Sequence, residues 1–248
     1  RMQQDPGQFV RHDIIDKVLF RDLPSLYGIT DVYELNSVFT MIAYHSGGIF
    51  SYESMSKESG VKKDVVKKYI QYLETAFLIK VVRRSDDTAK RYQRDITFKI
   101  YLTNPSLRCA LFQPITESDG EIGEMVETAV YAQWIPRQGA NITFANWRMS
   151  NKEQGEVDIV GLDLGLQKPI WGAEIKWSDR YVQHTGELVS LLAFMERNRM
   201  PEAIVTTMTE TADKVMNDDV TLHFLPVACY AYTVGRNTLM HTKQDCGF

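Results

Sequence analysis

The spacing of apolar residues is helical over the first part of the chain. From Phe9 to Leu23 apolar side chains recur every three or four residues, which predicts a helix that Pro24 ends. Polar residues that can cap a helix, and glycines that can end one, divide the next stretch. The predicted helices run from a Thr30 or Asp31 cap to about Tyr44, from a Ser51 cap to Gly60, and from about Lys63 to Thr75.

Two strand-like runs, Phe77–Arg83 and Asp95–Leu102, follow these helices and are joined by a charged tip. Three helices and a hairpin in this order predict a winged helix-turn-helix, with residues 63–75 as the recognition helix. A helix of this kind fits the major groove of DNA, and lysines on its outer face can meet phosphates. The predicted DNA contacts are Lys63, Lys67, Lys68, Arg84 and Arg91.

The exposed residues of the predicted recognition helix are mainly lysines. Arginine, asparagine and glutamine are the side chains that usually read base edges, so we expect DNA contact with little sequence preference. A winged helix can also bind a protein or act as a rigid connector between domains. Both of these roles remain open at the level of the sequence.

The second half of the chain alternates between helices and strands. Ile122–Trp134 is predicted to be a helix, and the tail after Gly235 gives little signal. The order helix, β-meander, helix, strand is typical of an α/β sandwich. The fold class is therefore α+β, with a helical winged-helix domain at residues 1–110 and an α/β domain at residues 111–248. After the first helix, the predicted elements are strands 142–148, 156–161 and 170–177, a helix at 188–197, and strands 203–207 and 222–232.

Charge divides the chain unevenly. The window Lys57–Arg94 contains 11 Lys/Arg and 5 Asp/Glu, a net charge of +6, while the rest of the chain carries −10. This asymmetry fits a basic nucleic-acid-binding module joined to an acidic one, or a basic solvated face. The apolar run Leu188–Met195 is too short to cross a bilayer, and residues 1–7 lack an apolar signal core, so we expect a cytoplasmic protein without membrane contact. Three scattered cysteines predict neither disulfides nor a metal knuckle.

The strongest candidate chemistry lies on two predicted neighbouring strands. Asp158 stands on one of them, and Glu174 and Lys176 stand two residues apart on the next. Adjacent strands can bring the two carboxylates together, and two carboxylates with a backbone carbonyl suit Mg²⁺ or Mn²⁺. A nearby lysine can orient water or stabilise negative charge, and Glu127 on the preceding helix can add an outer carboxylate. These groups fit metal-assisted phosphodiester hydrolysis.

This pattern resembles the PD-(D/E)XK nuclease superfamily, with Val157 in place of the proline. The resemblance implies that Asp158 and Glu174 bind the metal, that Lys176 serves catalysis, and that Glu127 contributes from the first core helix. It also implies a nuclease-like α/β fold for the second domain. The alternative is that Lys176 simply neutralises Asp158 or Glu174 in an internal ion pair.

A wider resemblance, over about residues 9–232, is to the C-terminal half of bacterial and archaeal AAA-type ATPases of unassigned function. It implies a winged helix, then a PD-(D/E)XK-like domain, with the ATPase domain of the same protein as a partner. The chain has no GxxxxGK[ST] motif, so we expect it to be a fragment, and Lys62 replaces the usual Ser or Thr cap of the recognition helix. The matching stretches are 18–23, 69–74, 123–127, 147–148, 155–158 and 174–176.

Two classes of function remain open from the sequence. The first is a metal-dependent nuclease with an attached DNA-binding module. The second is a non-enzymatic DNA- or protein-binding effector region with a vestigial site. All the acids of the motif are present, which favours the first class.

Overall fold

The computed structural model describes residues 5–86, 88, 97–135, 141–150, 153–163, 165–166, 168–217 and 220–245. The chain forms two compact units. The first contains residues 1–81 and 96–132, and the second contains residues 82–95 and 133–248. These units are defined by packing. The domain boundary near residue 110 was inferred from the sequence pattern and stays a prediction. No helix among the described residues is long and apolar enough to cross a membrane.

Helical structure at the start of the chain extends past the proline that was expected to end it. Helix α1 (Pro6–Phe9) leads through two wide, π-helical segments (Val10–Asp16 and Val18–Asp22) into helix α2 (Leu23–Tyr27). Pro24 lies in the first turn of α2, a position that proline tolerates because its missing N–H is not needed there. The predicted end at Pro24 is therefore wrong, and the helix ends at Gly28, which has a φ of 65°.

The next three helices follow the predicted caps. Asp31 accepts hydrogen bonds from two backbone N–H groups at the start of helix α3 (Val32–Tyr44). Ser51 begins helix α4 (Tyr52–Ser59) with a capping box, and Gly60 ends it with a φ of 73°. Helix α5 (Lys63–Thr75) begins without a side-chain cap, as expected from Lys62 at that position. Local sequence therefore fixes these boundaries.

Three short strands complete the secondary structure around these helices. Strand β1 (Ile49–Phe50) pairs antiparallel with β3 (Phe98–Leu102), and β3 is followed in the sheet by β2 (Ile79–Ser85). The first part of β2 belongs to the first unit and its last four residues to the second. Helix α6 (Ser106–Leu111) was not predicted, and it follows β3.

The second unit is built on a mixed sheet. Strands β4 (Ile142–Arg148), β5 (Gln154–Asp163) and β6 (Lys168–Glu174) form an antiparallel meander. Helix α8 (Val189–Asn198) leads to β7 (Glu202–Thr207), which runs parallel to β6. The end of β2 pairs in parallel with β4, and strands β8 (Ala212–Asn217) and β9 (Val220–Pro226) complete the order β2–β4–β5–β6–β7–β9–β8. The mixed helix and strand content confirms the α+β class.

One helix precedes strand β4 in the sequence, and another follows strand β9. Helix α7 (Ile122–Trp134) has the predicted bounds, and its last two residues belong to the second unit. Helix α9 (Val227–Asp245) begins directly after Pro226, where a strand to residue 232 was predicted. That prediction was wrong. Residues 227–232 are apolar enough for a strand, but they form the first turns of a helix that continues past Gly235. Strand β8 was also missed.

Two glycines of β5 lie opposite tryptophans of the neighbouring strands. Gly155 pairs with Trp147 and Gly161 pairs with Trp171. A Cβ atom built on Gly161 would lie 2.1 Å from the Trp171 ring, and one built on Gly155 would lie 2.4 Å from the Trp147 ring. The indole rings therefore cover the strand where a side chain is missing, which orders the meander that carries the candidate site.

We predict that Gly161→Ala destabilises the protein by about 2–3 kcal/mol, because the added methyl group displaces the Trp171 ring from its packing position. Urea unfolding followed by tryptophan fluorescence measures the change. Gly186→Ala is the matched control, since nothing lies within 4 Å of the Cβ position there. An equal loss of stability in both variants would contradict the packing explanation.

Candidate functional site

Asp158 lies in a β-bulge of strand β5. Between Val157 and Val160, β5 has two residues where β4 has one. The extra residue makes Asp158 and Ile159 both oppose Phe144. Bulges of this kind bend a strand and change the direction of its side chains, and they are frequent beside active sites. Asp158 is 7% exposed, so the bulge holds a carboxylate largely away from water.

Glu174 lies across from Asp158 at the end of strand β6. The antiparallel register pairs Ile159 with Ala173, and one further step along both strands brings the two acids opposite each other. The backbone N–H of Ile175 donates a hydrogen bond of 2.7 Å to Asp158 Oδ2. Glu174 is 8% exposed. Two carboxylates are therefore buried side by side, which is unfavourable unless a cation compensates them.

Lys176 supplies a positive charge at this position. Its Nζ lies 2.7 Å from Glu174 Oε1. Burial acts to lower the pKa of Lys176, but the carboxylates of Glu174 and Asp158 together outweigh it, so the pKa lies above the ordinary lysine value. Lys176 is therefore a protonated cation at neutral pH and not a general base. The three predicted residues of the motif come together in one place.

Thr206 of strand β7 holds the backbone of Lys176. The Thr206 hydroxyl accepts a hydrogen bond of 2.7 Å from the Lys176 N–H and donates one of 2.9 Å to the Lys176 carbonyl. The β6–β7 ladder ends at Glu174 and Val205, so this side chain continues the pairing one step further. Thr206 is fully buried. It is a positioning residue that sequence reasoning missed, because it lies thirty residues from Lys176 and carries no local signal.

The segment after Lys176 is fastened to the loop after β7. Asp179 accepts hydrogen bonds from the backbone N–H and the hydroxyl of Thr209, at 2.9 and 2.8 Å, and the backbone bond holds the pKa of Asp179 below its usual range. The Tyr181 ring lies 5.7 Å from Lys176 Nζ and 5.1 Å from the guanidinium of Arg180. The Tyr181 ring thus lies beside Lys176 of the candidate site and also beside Arg180.

Glu127, the third acid predicted for the site, belongs to the first unit. Its Oε1 lies 2.9 Å from Lys99 Nζ and 2.5 Å from the Tyr101 hydroxyl. Lys99 is 3% exposed, and the ring of Tyr101 stacks on Tyr131 at 3.8 Å. These contacts give Glu127 a place in the core of the first unit, as the partner of a buried lysine.

The donor set of the candidate site fits a hard divalent cation in part. Asp158 and Glu174 offer carboxylate oxygens, and the carbonyl of Ile175 follows Glu174 directly in the chain. Oxygen ligands of this kind are those that Mg²⁺ and Mn²⁺ prefer. Within the described residues there is no group of three or more His, Cys, Asp or Glu side chains that could hold a metal. An ion bound here would therefore be coordinated by two carboxylates, with a backbone oxygen and water completing its coordination.

The predicted DNA-contacting lysines lie on helix α5. Lys63 Nζ lies 2.6 Å from Glu53 Oε2, and Lys67 Nζ lies 3.3 Å from Asp64 Oδ1. Lys68 is exposed. All three lie away from the buried face of the helix, as the apolar stripe predicts, but acidic neighbours reduce the positive potential of two of them.

The arginines of the predicted wing are placed differently. Arg84 is half-buried in strand β2, and its backbone pairs with Phe144 of β4 in the second unit. The hydroxyl of Thr143 donates to the carbonyl of the preceding residue, Arg83. Arg91 lies outside the described residues. Arg84 is therefore a strand residue of the second unit and not part of the hairpin tip.

Removal of the compensating cation defines a stability test. The pKa of Lys176 is raised, so its stabilising charge is present at all pH values below the ordinary lysine pKa and is lost only in strong base. In Lys176→Met the two acids face each other without a compensating cation. We expect a loss of about 3 kcal/mol in the free energy of unfolding at pH 8.

Urea unfolding of Lys176→Met at pH 8 measures this effect. Lys168→Met, at the exposed start of strand β6, is the control and should change stability by less than about 0.5 kcal/mol. A loss of stability in Lys176→Met no larger than that in Lys168→Met would contradict charge compensation as the role of Lys176.

Comparison with known proteins covers the first part of the chain. Residues 1–118 match the model of a family described as a domain of unknown function, DUF8612. No curated protein and no solved structure matches the chain. The similarity to this family therefore ends before helix α7, and Asp158, Glu174 and Lys176 lie outside it.

Proposed function

We propose that the second unit hydrolyses phosphodiester bonds with the help of a divalent metal ion, and that the first unit binds the nucleic acid. The observation that carries the proposal is the convergence of Asp158 in the bulge of β5 with Glu174 at the end of β6 and Lys176 just after it. Two buried carboxylates with a fixed ammonium group are the groups that metal-assisted phosphoryl chemistry uses.

Each residue has a separate role in this proposal. Asp158 and Glu174 would hold Mg²⁺ or Mn²⁺, which supplies Lewis-acid polarisation of the phosphate and activation of water when bound. Lys176 stays protonated, so it stabilises the negative charge that develops on the phosphoryl oxygens and does not remove a proton from water. Thr206 fixes the backbone of Lys176, and Ile175 fixes one oxygen of Asp158. The site is thereby preorganised from three strands.

The element order of the first unit supports the DNA-binding part of the proposal. The sequence α3, β1, α4, α5, β2, β3, with β1 antiparallel to β3, is the order of a winged helix. Helix α5 would then be the recognition helix and would meet the DNA backbone through Lys63, Lys67 and Lys68. The resemblance to the C-terminal region of AAA-type ATPases further suggests an ATPase domain as a partner of this unit.

A second candidate function is a non-enzymatic DNA- or protein-binding effector region with a vestigial site. Two observations favour it. Lys176 Nζ lies 2.7 Å from Glu174 Oε1, and an ion pair at this distance neutralises the carboxylate. The described part of the chain also lacks a group of three metal-ligating side chains. In this case the Asp158–Glu174–Lys176 cluster is an internal ion-pair network that only stabilises the sheet.

The nuclease proposal predicts a linked loss of metal binding and activity. Mg²⁺ or Mn²⁺ should raise the melting temperature of the parent chain, because an ion that binds the folded state stabilises it by mass action. Asp158→Asn should abolish this rise and lower the rate of DNA cleavage by about 100-fold or more. Lys176→Ala should lower cleavage similarly but keep the metal response.

Thermal unfolding with and without metal and a cleavage assay on circular and linear DNA test these expectations. Asp163→Asn, the same substitution five residues further along β5, is the control and should retain both properties. A parent chain that neither responds to metal nor cleaves DNA or RNA would leave the effector function as the remaining candidate.

The DNA-binding proposal makes a separate prediction. Replacement of Lys63, Lys67 and Lys68 by alanine should weaken binding of duplex DNA, with little dependence on sequence. The salt dependence should become shallower by about two to three units of slope, since roughly one counterion is released per phosphate contact.

Fluorescence anisotropy over a range of salt concentrations measures this slope. The control with the same change of charge is alanine at Lys17, Lys168 and Lys214, which lie outside helix α5. If the two triple variants lose affinity equally, net charge and not a helix α5 interface explains the binding. If the parent does not bind DNA at low salt, the first unit binds protein or acts as a connector.

A further inference from the structure

Arg108 is buried in the first unit. It lies in the last turn of helix α6, and only 6% of the residue is exposed. Arginine is seldom buried to this extent unless an acid or several acceptors accompany it. No side-chain nitrogen of Arg108 is completely buried without a hydrogen-bond partner. The edge of the guanidinium therefore reaches the surface.

The guanidinium lies in a corner formed by two aromatic rings. Its central carbon is 5.7 Å from the centre of the Tyr44 ring and 5.6 Å from the centre of the Phe112 ring. The two rings meet at 74° with their centres 5.3 Å apart. Tyr44 is the last residue of helix α3 and is 48% exposed, so the corner opens at the surface. Cation–π attraction favours the positive charge there, but it supplies no hydrogen-bond acceptor for the N–H groups of the guanidinium.

No acid compensates Arg108 within the part of the chain that the structure describes. The guanidinium has neither a carboxylate within ion-pair distance nor a side-chain hydrogen bond there. Lys99, which is also buried in this unit, has Glu127 at 2.9 Å. A guanidinium stays protonated in proteins and has five N–H donors, so these donors remain for a ligand.

We propose that Arg108 anchors a phosphate-binding site on the first unit. The two rings flank the guanidinium without accepting its N–H groups in conventional hydrogen bonds, and its surface edge can donate two parallel hydrogen bonds to two oxygens of one group. Phosphate offers this pair of oxygens and carries more negative charge than a carboxylate, so it gains more from an uncompensated cation. Such a site is independent of the metal site and of the helix α5 lysines.

The phosphate can come from two sources that share this chemistry. One is a free phosphate ion or a small phosphorylated molecule, and the other is the backbone of a nucleic acid. Arg108 differs from Lys63 and Lys67, which have carboxylate partners, because its charge has none among the described residues. The binding free energy per contact should therefore be larger at Arg108 than at these lysines.

The test compares the full chain with Arg108→Met and Arg108→Lys. Sodium phosphate, against sodium chloride of equal ionic strength, should raise the melting temperature of the parent by about 4 °C at ten times the dissociation constant. Arg108→Met should show no phosphate-specific rise, and it should be as stable as the parent in chloride, since it removes an uncompensated charge. Arg108→Lys should show a weakened rise because the two-pronged geometry is lost. Arg236→Met, at an exposed position of helix α9, should respond like the parent.

Several outcomes would overturn the proposal. One is a parent without a phosphate-specific rise, and another is a rise that survives in Arg108→Met. An equal rise with acetate would overturn the assignment of phosphate as the ligand. A binding assay with duplex DNA separates the two sources. Loss of DNA affinity in Arg108→Met together with the phosphate response identifies the nucleic-acid backbone, whereas unchanged DNA affinity identifies a free phosphate or small phosphorylated molecule.

Discussion

The burial of two carboxylates side by side is the constraint on which the second unit depends. Asp158 and Glu174 are 7% and 8% exposed on adjacent strands, and their mutual repulsion in this environment requires a cation. Lys176 meets the requirement through its contact with Glu174, and Thr206 keeps the backbone of Lys176 in register with β7. A divalent ion would meet the same requirement, and a lysine and a metal can therefore share the compensation.

The β-bulge explains why this arrangement forms on β5. An uninterrupted strand would keep Val157 and Val160 on opposite faces, since they are three residues apart. Both nevertheless belong to the same buried apolar cluster with residues of helix α8. The extra residue of the bulge allows the side chains of Val157 and Val160 to join the same cluster. Asp158 is one of the residues that the bulge displaces from regular pairing. The packing of the core and the placement of the acid thus have one cause.

The buried and partly buried cations Lys99, Lys176 and Arg108 of the described residues differ in what compensates them. Lys99 has Glu127, and Lys176 has Glu174, each within 3 Å. Arg108 has two aromatic rings and, among the described residues, no acid. Desolvation of a charge is unfavourable in all three places, so the difference lies in what compensates it. This contrast also changes the interpretation of Glu127, which the sequence suggested as a metal ligand and which the structure places beside Lys99.

The sequence by itself determined the helices whose boundaries carry local capping signals. It also identified the chemical groups of the candidate site. Asp31, Ser51 and Gly60 fix the helix boundaries around them, because capping is an interaction between residues close in sequence. The motif residues Asp158, Glu174 and Lys176 were likewise found from their spacing on consecutive strands. The tertiary structure alone decided the bulge, the Thr206 contact and the environments of Glu127 and Arg108. These depend on strand pairing and packing between residues that are distant in sequence, and such contacts leave no periodic pattern in the chain.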